Sequence, residues 1–116
     1  MTIRYKNQGF KQADTNLNTI LTCPTDATLI VKSIYCSNND ASSAIQVNAS
    51  LVDTSDSSTE YEFFRDDLAA KSQVNAVPQG LNLEAGDLIK IQAATGSNKI
   101  QGVISYAQID RSQENG

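Results

Sequence analysis

Hydrophobic and polar residues alternate with a period of two through much of this chain. The cleanest case is Ala44–Val52, where Ile45, Val47, Ala49 and Leu51 alternate with Gln46, Asn48 and Ser50. Successive side chains of a strand point to opposite faces, so this pattern predicts a half-buried β-strand. Val77–Ala93 carries the same signal twice. Leu81 and Leu83 alternate with Asn82 and Glu84, then Ile89, Ile91 and Ala93 alternate with Lys90 and Gln92. Between them Ala85-Gly86-Asp87 reads as a turn, with Gly86 free to take positive φ. The expectation is two short strands folded back on each other, entered through the breakers Pro78 and Gly80.

The remaining segments read similarly. Leu17–Cys23 is a β-branched strand ended by Pro24. Ala27–Ser37 is the longest apolar run, and its alternation is imperfect: Leu29, Val31 and Tyr35 fall on one face, Ile30, Ile34 and Cys36 on the other. Apolar residues on both faces predict a central strand or one bounded by a subunit contact. Asn38-Asn39-Asp40 closes it with turn chemistry. Asp53–Glu60 is a polar hairpin tip. Tyr61 and Phe63 share a face of Glu60–Arg65, and Asp66–Lys71 is expected to form one helical turn capped by Asp66 or Asp67. Gln73–Val77 is a short strand. In the last strand, Lys99–Ile109, Ile100, Ile104 and Tyr106 set one face while Val103 and Ile109 lie on the other. Gly102 marks a β-bulge or a close backbone approach.

About eight strands at regular spacing, without a βαβ rhythm, predict an all-β, single-domain antiparallel β-sandwich, jelly-roll-like. Residues 17–110 form this domain and 111–116 a polar C-terminal tail. Residues 1–16 differ in character. Ile3, Tyr5 and Phe10 are spaced among polar and basic residues, and the stretch reads as an extended N-terminal arm with apolar anchors, held by a neighbouring subunit.

Composition narrows the function. The chain has 116 residues, enough for one core without metal or disulfide support. Its net charge of −4 and nine scattered Lys and Arg argue against nucleic acid as a partner. No apolar run is long enough to span a membrane. The N-terminus lacks the apolar region of a secretory signal, so a chain starting at Met1 is expected to fold in a cytoplasm. The sequence contains no histidine, which removes the commonest general base and every Ser-His or Cys-His nucleophile system. Three carboxylate groups remain: Asp66-Asp67, the Asp53/Asp56/Glu60 loop, and Glu84 with Asp87. Their turn-rich settings suit capping better than catalysis, so no catalytic or cofactor-binding residue is expected. Cys23 and Cys36 without histidine do not make a zinc site, and they read as buried thiols or a single disulfide. The Asp53–Glu60 loop has hard oxygen donors but lacks the calcium-loop spacing and glycine, so no metal is expected there. A carbohydrate- or receptor-binding module using that loop is the reading from another class.

Two blocks, TLIVKSIYCSNND at Thr28–Asp40 and LNLEAGDLIKIQAAT at Leu81–Thr95, in this order and separation, resemble the small all-β virion structural proteins of tailed bacteriophages. The resemblance runs over Leu17–Ile109, through the Pro turn of LTCPTDATLIVKSIYCSNND and the strand AIQVNASLVD. It implies a capsid decoration or cement protein, with a tail or neck component as the alternative. It further implies a homo-oligomer that binds the major capsid protein or other virion proteins, located in the virion. The residues expected to make those contacts are Ile3, Tyr5 and Phe10 of the arm and Val103 and Ile109 of the last strand.

Overall fold

A computed structural model describes residues 2–110, and Met1 and the polar tail at 111–116 lie outside the described residues. Nine strands are present among them: β1 (Thr2–Lys11), β2 (Asn18–Thr22), β3 (Ala27–Asn38), β4 (Ile45–Asp53), β5 (Thr59–Leu68), β6 (Gln73–Asn75), β7 (Leu81–Leu83), β8 (Leu88–Ala93) and β9 (Ile100–Asp110). They form two antiparallel sheets. One runs β1-β9-β3, with β6 and β7 both pairing along the far side of β3; the other runs β2-β8-β4-β5. Taking β6 and β7 as one interrupted strand gives eight, in the order of a two-sheet jelly roll. The all-β sandwich expected from the alternation is the fold found.

The core lies between the sheets. Leu29, Val31, Ile34, Ile100 and Ile104 from one sheet meet Val47, Ala49, Ile89 and Ile91 from the other, all buried. Cys23 and Cys36 are buried as thiols, and burial pushes the Cys36 pKa up to about 12. Buried in this way, Cys36 acts as a small hydrophobe.

The expected Leu81–Ala93 hairpin is not one. β7 pairs with β3, whereas β8 pairs with β2 and β4 in the opposite sheet. The turn between them crosses from sheet to sheet, and Asp87 fixes it. Its side chain is buried and accepts hydrogen bonds from the Glu84 amide at 2.9 Å, the Thr54 amide at 3.2 Å and the Thr54 hydroxyl at 3.3 Å. The backbone of the same turn is tied to the end of β2: the Cys23 amide donates to the Asp87 carbonyl at 2.9 Å and the Gly86 amide to the Cys23 carbonyl at 3.0 Å.

Three further expectations change. The helical turn at Asp66–Lys71 is replaced by β5, which runs to Leu68 because Asp66, Asp67 and Leu68 all pair with β4. The 3-10 turn is instead Thr54–Asp56, capped by Asp53, which accepts from the Ser55 amide. In β3 a register shift between Val31 and Ser33 inserts one residue, Lys32. Such a bulge inverts the facing of all that follows, so Leu29, Val31, Ile34 and Cys36 all point inward while Ile30 and Tyr35 point out. Finally, within the stretch 1–16 read as an extended arm held by a neighbouring subunit, Thr2–Lys11 is strand β1, paired with β9 of the same chain over all ten positions without a register shift.

Gly102 is the close approach anticipated from sequence. A Cβ there would lie 2.0 Å from the Tyr35 carbonyl oxygen and 2.5 Å from the Phe10 ring. Phe10, opposite Gly102 in register, packs partly buried against the core. The ring occupies space that a side chain on β9 would need, and thereby fastens β1 to the sandwich.

Two variants test this architecture. Gly102→Ala is expected to lower Tm by at least ~5 °C, since the backbone must move to admit the methyl group; an unchanged Tm would show that the strands give way freely. Asp87→Ala removes a buried acceptor from three donors and is expected to lower the unfolding free energy by about 3 kcal/mol in urea titration. A loss below about 0.5 kcal/mol, within the range of ordinary surface substitutions, would mean that another group holds the crossing.

Candidate contact surface

The outer face of the five-stranded sheet carries most of the large exposed apolar side chains. Pairing across β1, β9 and β3 sets them in rows. Ile3 lies beside Ile109, which lies beside Thr28; Tyr5 beside Ala107 and Ile30; Gly9 beside Val103 and Tyr35. Tyr5 is 78% exposed, Tyr35 52%, Ile3 50%, Val103 43% and Ile30 41%, so solvent reaches an apolar strip three strands wide. Ala107 in its middle is buried by its neighbours and Ile109 is half-buried. Between the first two rows and the last lies a polar row, Asn7, Ser105 and Ser33.

The charges on this face are basic. Lys32, displaced by the bulge, sets its ammonium 5.7 Å from the centre of the Tyr5 ring, within reach of a cation–π interaction. Lys11 lies at the far end. No Asp or Glu occurs in the rows themselves. Where Gly9 lacks a side chain, Lys11, Ser37, Gln101 and Val103 surround an open depression.

Of the residues expected to make contacts, Ile3, Tyr5, Val103 and Ile109 therefore share one face, and Phe10 lies on the opposite side of β1 against the core. Ile30 and Tyr35 belong to the same strip and were placed on opposite faces by simple alternation. The sequence does contain the sign that corrects them: inward parity passes from Leu29 and Val31 to Ile34 and Cys36, which requires one inserted residue.

Three of the candidate carboxylates, Asp53, Asp56 and Asp87, are engaged in local structure. Asp53 caps the 3-10 turn, Asp56 accepts a hydrogen bond from the Tyr61 hydroxyl, and Asp87 holds the sheet crossing. The hydrogen bond from Tyr61 to Asp56 raises the phenol's pKa, because the carboxylate favours the protonated ring hydroxyl. Asp40 is held below the ordinary carboxylate range by the amides of Ser42 and Ser43. Among the described residues no three His, Cys, Asp or Glu side chains are grouped to hold a metal, and no helix is long and apolar enough to cross a membrane.

No protein-family model matches the chain, and no curated protein matches it in sequence. Solved structures do match in fold. A chain of the acid-stable capsid of Helicobacter pylori bacteriophage KHP30 superposes with a TM-score of 0.60 at 16% identity, over 97% of this chain and 90% of that one. The Drosophila NLP core, a pentamer-forming and histone-binding protein, gives 0.52 at 13% identity, over 95% of this chain and 100% of that one. A chain of the disulfide-linked pili of Bacillus endospore appendages gives 0.51 at 11% identity, over 96% and 90% respectively. At these identities the likeness is one of fold, and this chain shares the sandwich of a phage capsid chain, a histone-binding pentamer and a spore pilus.

Proposed function

We propose that this chain is a structural virion protein of a tailed bacteriophage, a decoration or cement protein that binds the shell of major capsid protein. The observation that carries the reading is the exposed apolar strip on β1, β9 and β3. Large apolar side chains grouped on one exposed face in this way mark a contact site, and the two tyrosines among them are typical of interface centres. The fold shared with the KHP30 capsid chain and the resemblance of the Thr28–Asp40 and Leu81–Thr95 blocks to tailed-phage virion proteins point the same way.

Size constrains how such a protein would bind. Six residues of strand and three strand spacings cover roughly 20 × 15 Å, or about 300 Å². A stable interface buries about 800 Å² per partner. The strip alone therefore gives weak attachment, and a decoration role requires several copies to act together, each repeated contact raising the effective concentration of the next. Homo-oligomerisation is thus part of the reading.

Quantitative mass spectrometry of purified particles tests the proposal. A copy number comparable to that of the major capsid protein supports shell decoration. A small ring's worth of copies would replace it with the tail or neck reading, and absence from particles would overturn both. On shells, Tyr5→Ser combined with Val103→Ser is expected to weaken binding at least about tenfold, equivalent to about 1.4 kcal/mol, with Tm unchanged. Full occupancy by this variant would remove the strip from the contact.

A further inference from the structure

Each sheet has two edges, and the four edges are unequal. β2 has five residues and a bulge at Ile20, with Pro24 just beyond. The β6/β7 edge consists of two three-residue pieces separated by a segment holding Pro78 and Gly80. Short, broken, proline-bearing edges of this kind are poor templates for further pairing. The other two edges, β1 and β5, are ten residues each and contain no proline; β1 is regular throughout, and β5 carries one inserted residue, Phe63, between the stretches 59–62 and 64–68. Over residues 3–11 and 59–68, about 30 Å of strand each, no further strand among the described residues pairs with the outer side of the backbone.

These two long edges are oppositely charged. β1 carries Arg4, Lys6 and Lys11 and no acid, whereas β5 carries Glu60, Glu62, Asp66 and Asp67 against the single cation Arg65. All four acids, Arg4 and Lys11 are exposed, and Lys6 is half-buried. The spacings match as well: Arg4 and Lys6 are two residues apart, as are Glu60 and Glu62, so each pair projects from one face of its strand. The edges also lie on opposite flanks of the sandwich. β1 stands against β2, where the Gln8 amide donates to the Ile20 carbonyl at 2.6 Å. β5 ends beside the turn that follows β3, where Asn38 donates to the Leu68 carbonyl at 2.9 Å.

We propose that copies of this chain assemble head to tail by edge pairing, β1 of one copy adding as a strand alongside β5 of the next. Main-chain hydrogen bonds supply the attachment, as in other strand-addition complexes, and the charges select the partner. Two β1 edges repel each other, as do two β5 edges, so symmetric pairing is disfavoured while the mixed pair is attractive. A heterologous contact of this type closes into a ring or propagates as a filament, according to the rotation per step. Intrachain pairs do not consume the charge. Arg4 meets Asp110 at 2.9 Å with half its side chain still exposed, and Arg65 with Glu62 holds only one of the four acids. The inference stands independently of the virion reading, because it concerns the purified chain alone.

Two full-chain variants test it by sedimentation velocity, with circular dichroism and Tm recording their folding. Arg4→Glu with Lys6→Glu makes both long edges acidic, and Glu60→Lys with Glu62→Lys removes the acidic character of β5. Wild-type chain is expected to self-associate in low salt, each variant alone to remain monomeric, and the equimolar mixture to recover assembly, since each then supplies the edge that the other lacks. Wild-type association is also expected to weaken from 0.1 to 1 M salt, as the screening length falls from about 10 to about 3 Å. The salt series decides the matter should either variant fail to fold. Wild-type chain that stays monomeric at high concentration, association insensitive to salt, variants that assemble alone, or folded variants that do not assemble when mixed would each overturn the proposal.

Discussion

The carboxylate of Asp87 holds the point at which the chain leaves one sheet for the other. Desolvating a carboxylate is costly, and the cost is met here by three donors, two backbone amides and one hydroxyl, which form the stronger charge-assisted class of hydrogen bond. Those donors come from two places far apart in sequence, the β7–β8 turn and the 3-10 turn after β4. One buried side chain thereby sets where β8 begins, and β8 is the strand on which β2 and β4 both pair. β8 is one of the two inner strands of the four-stranded sheet, and it carries the inward set Ile89, Ile91 and Ala93.

Strands are legible in this sequence because each is a local pattern; their partners are not. Leu81–Leu83 and Leu88–Ala93 look like a hairpin, since a short turn containing Gly86 serves a sheet crossing as well as a reversal. What separates the two cases is a long-range contact, Asp87 with Thr54, that no local pattern announces. The helical turn at Asp66–Lys71 failed for a related reason: a capping residue and a DLAAK run are weak preferences beside the hydrogen bonds that β4 offers to Asp66–Leu68.

The exposed apolar strip was legible in part, and the bulge in β3 accounts for much of the remainder. Val103 and Ile109 follow strict alternation, so their outward facing could be read directly. Ile30 and Tyr35 stand on either side of the inserted Lys32, and parity counted through that residue sends one of them to the wrong face. The first strand was hidden differently. Its inward side is polar, with Arg4 paired to Asp110, Lys6 to Gln108 and Gln8 to the Ile20 carbonyl, because over that length β1 packs on strand ends and backbone and not on the core. Only Phe10 reaches the apolar interior. A strand with such a sequence looks like an arm until its hydrogen-bonding partner is known.

That partner is the last strand of the domain. β9 lies between β1 and β3, and the register sets Thr2 opposite Asp110. β1 therefore has no place in the sheet until β9 is available to pair with it. Pairings that span nearly the whole chain form slowly, because the loop they close is as long as the domain. Any nascent or truncated chain lacking β9 leaves β1 without a sheet and β3 as a bare edge. The outer strip of the five-stranded sheet therefore exists only once two strands about a hundred residues apart have met, and any event that frees β9 dismantles the strip together with the seat of β1.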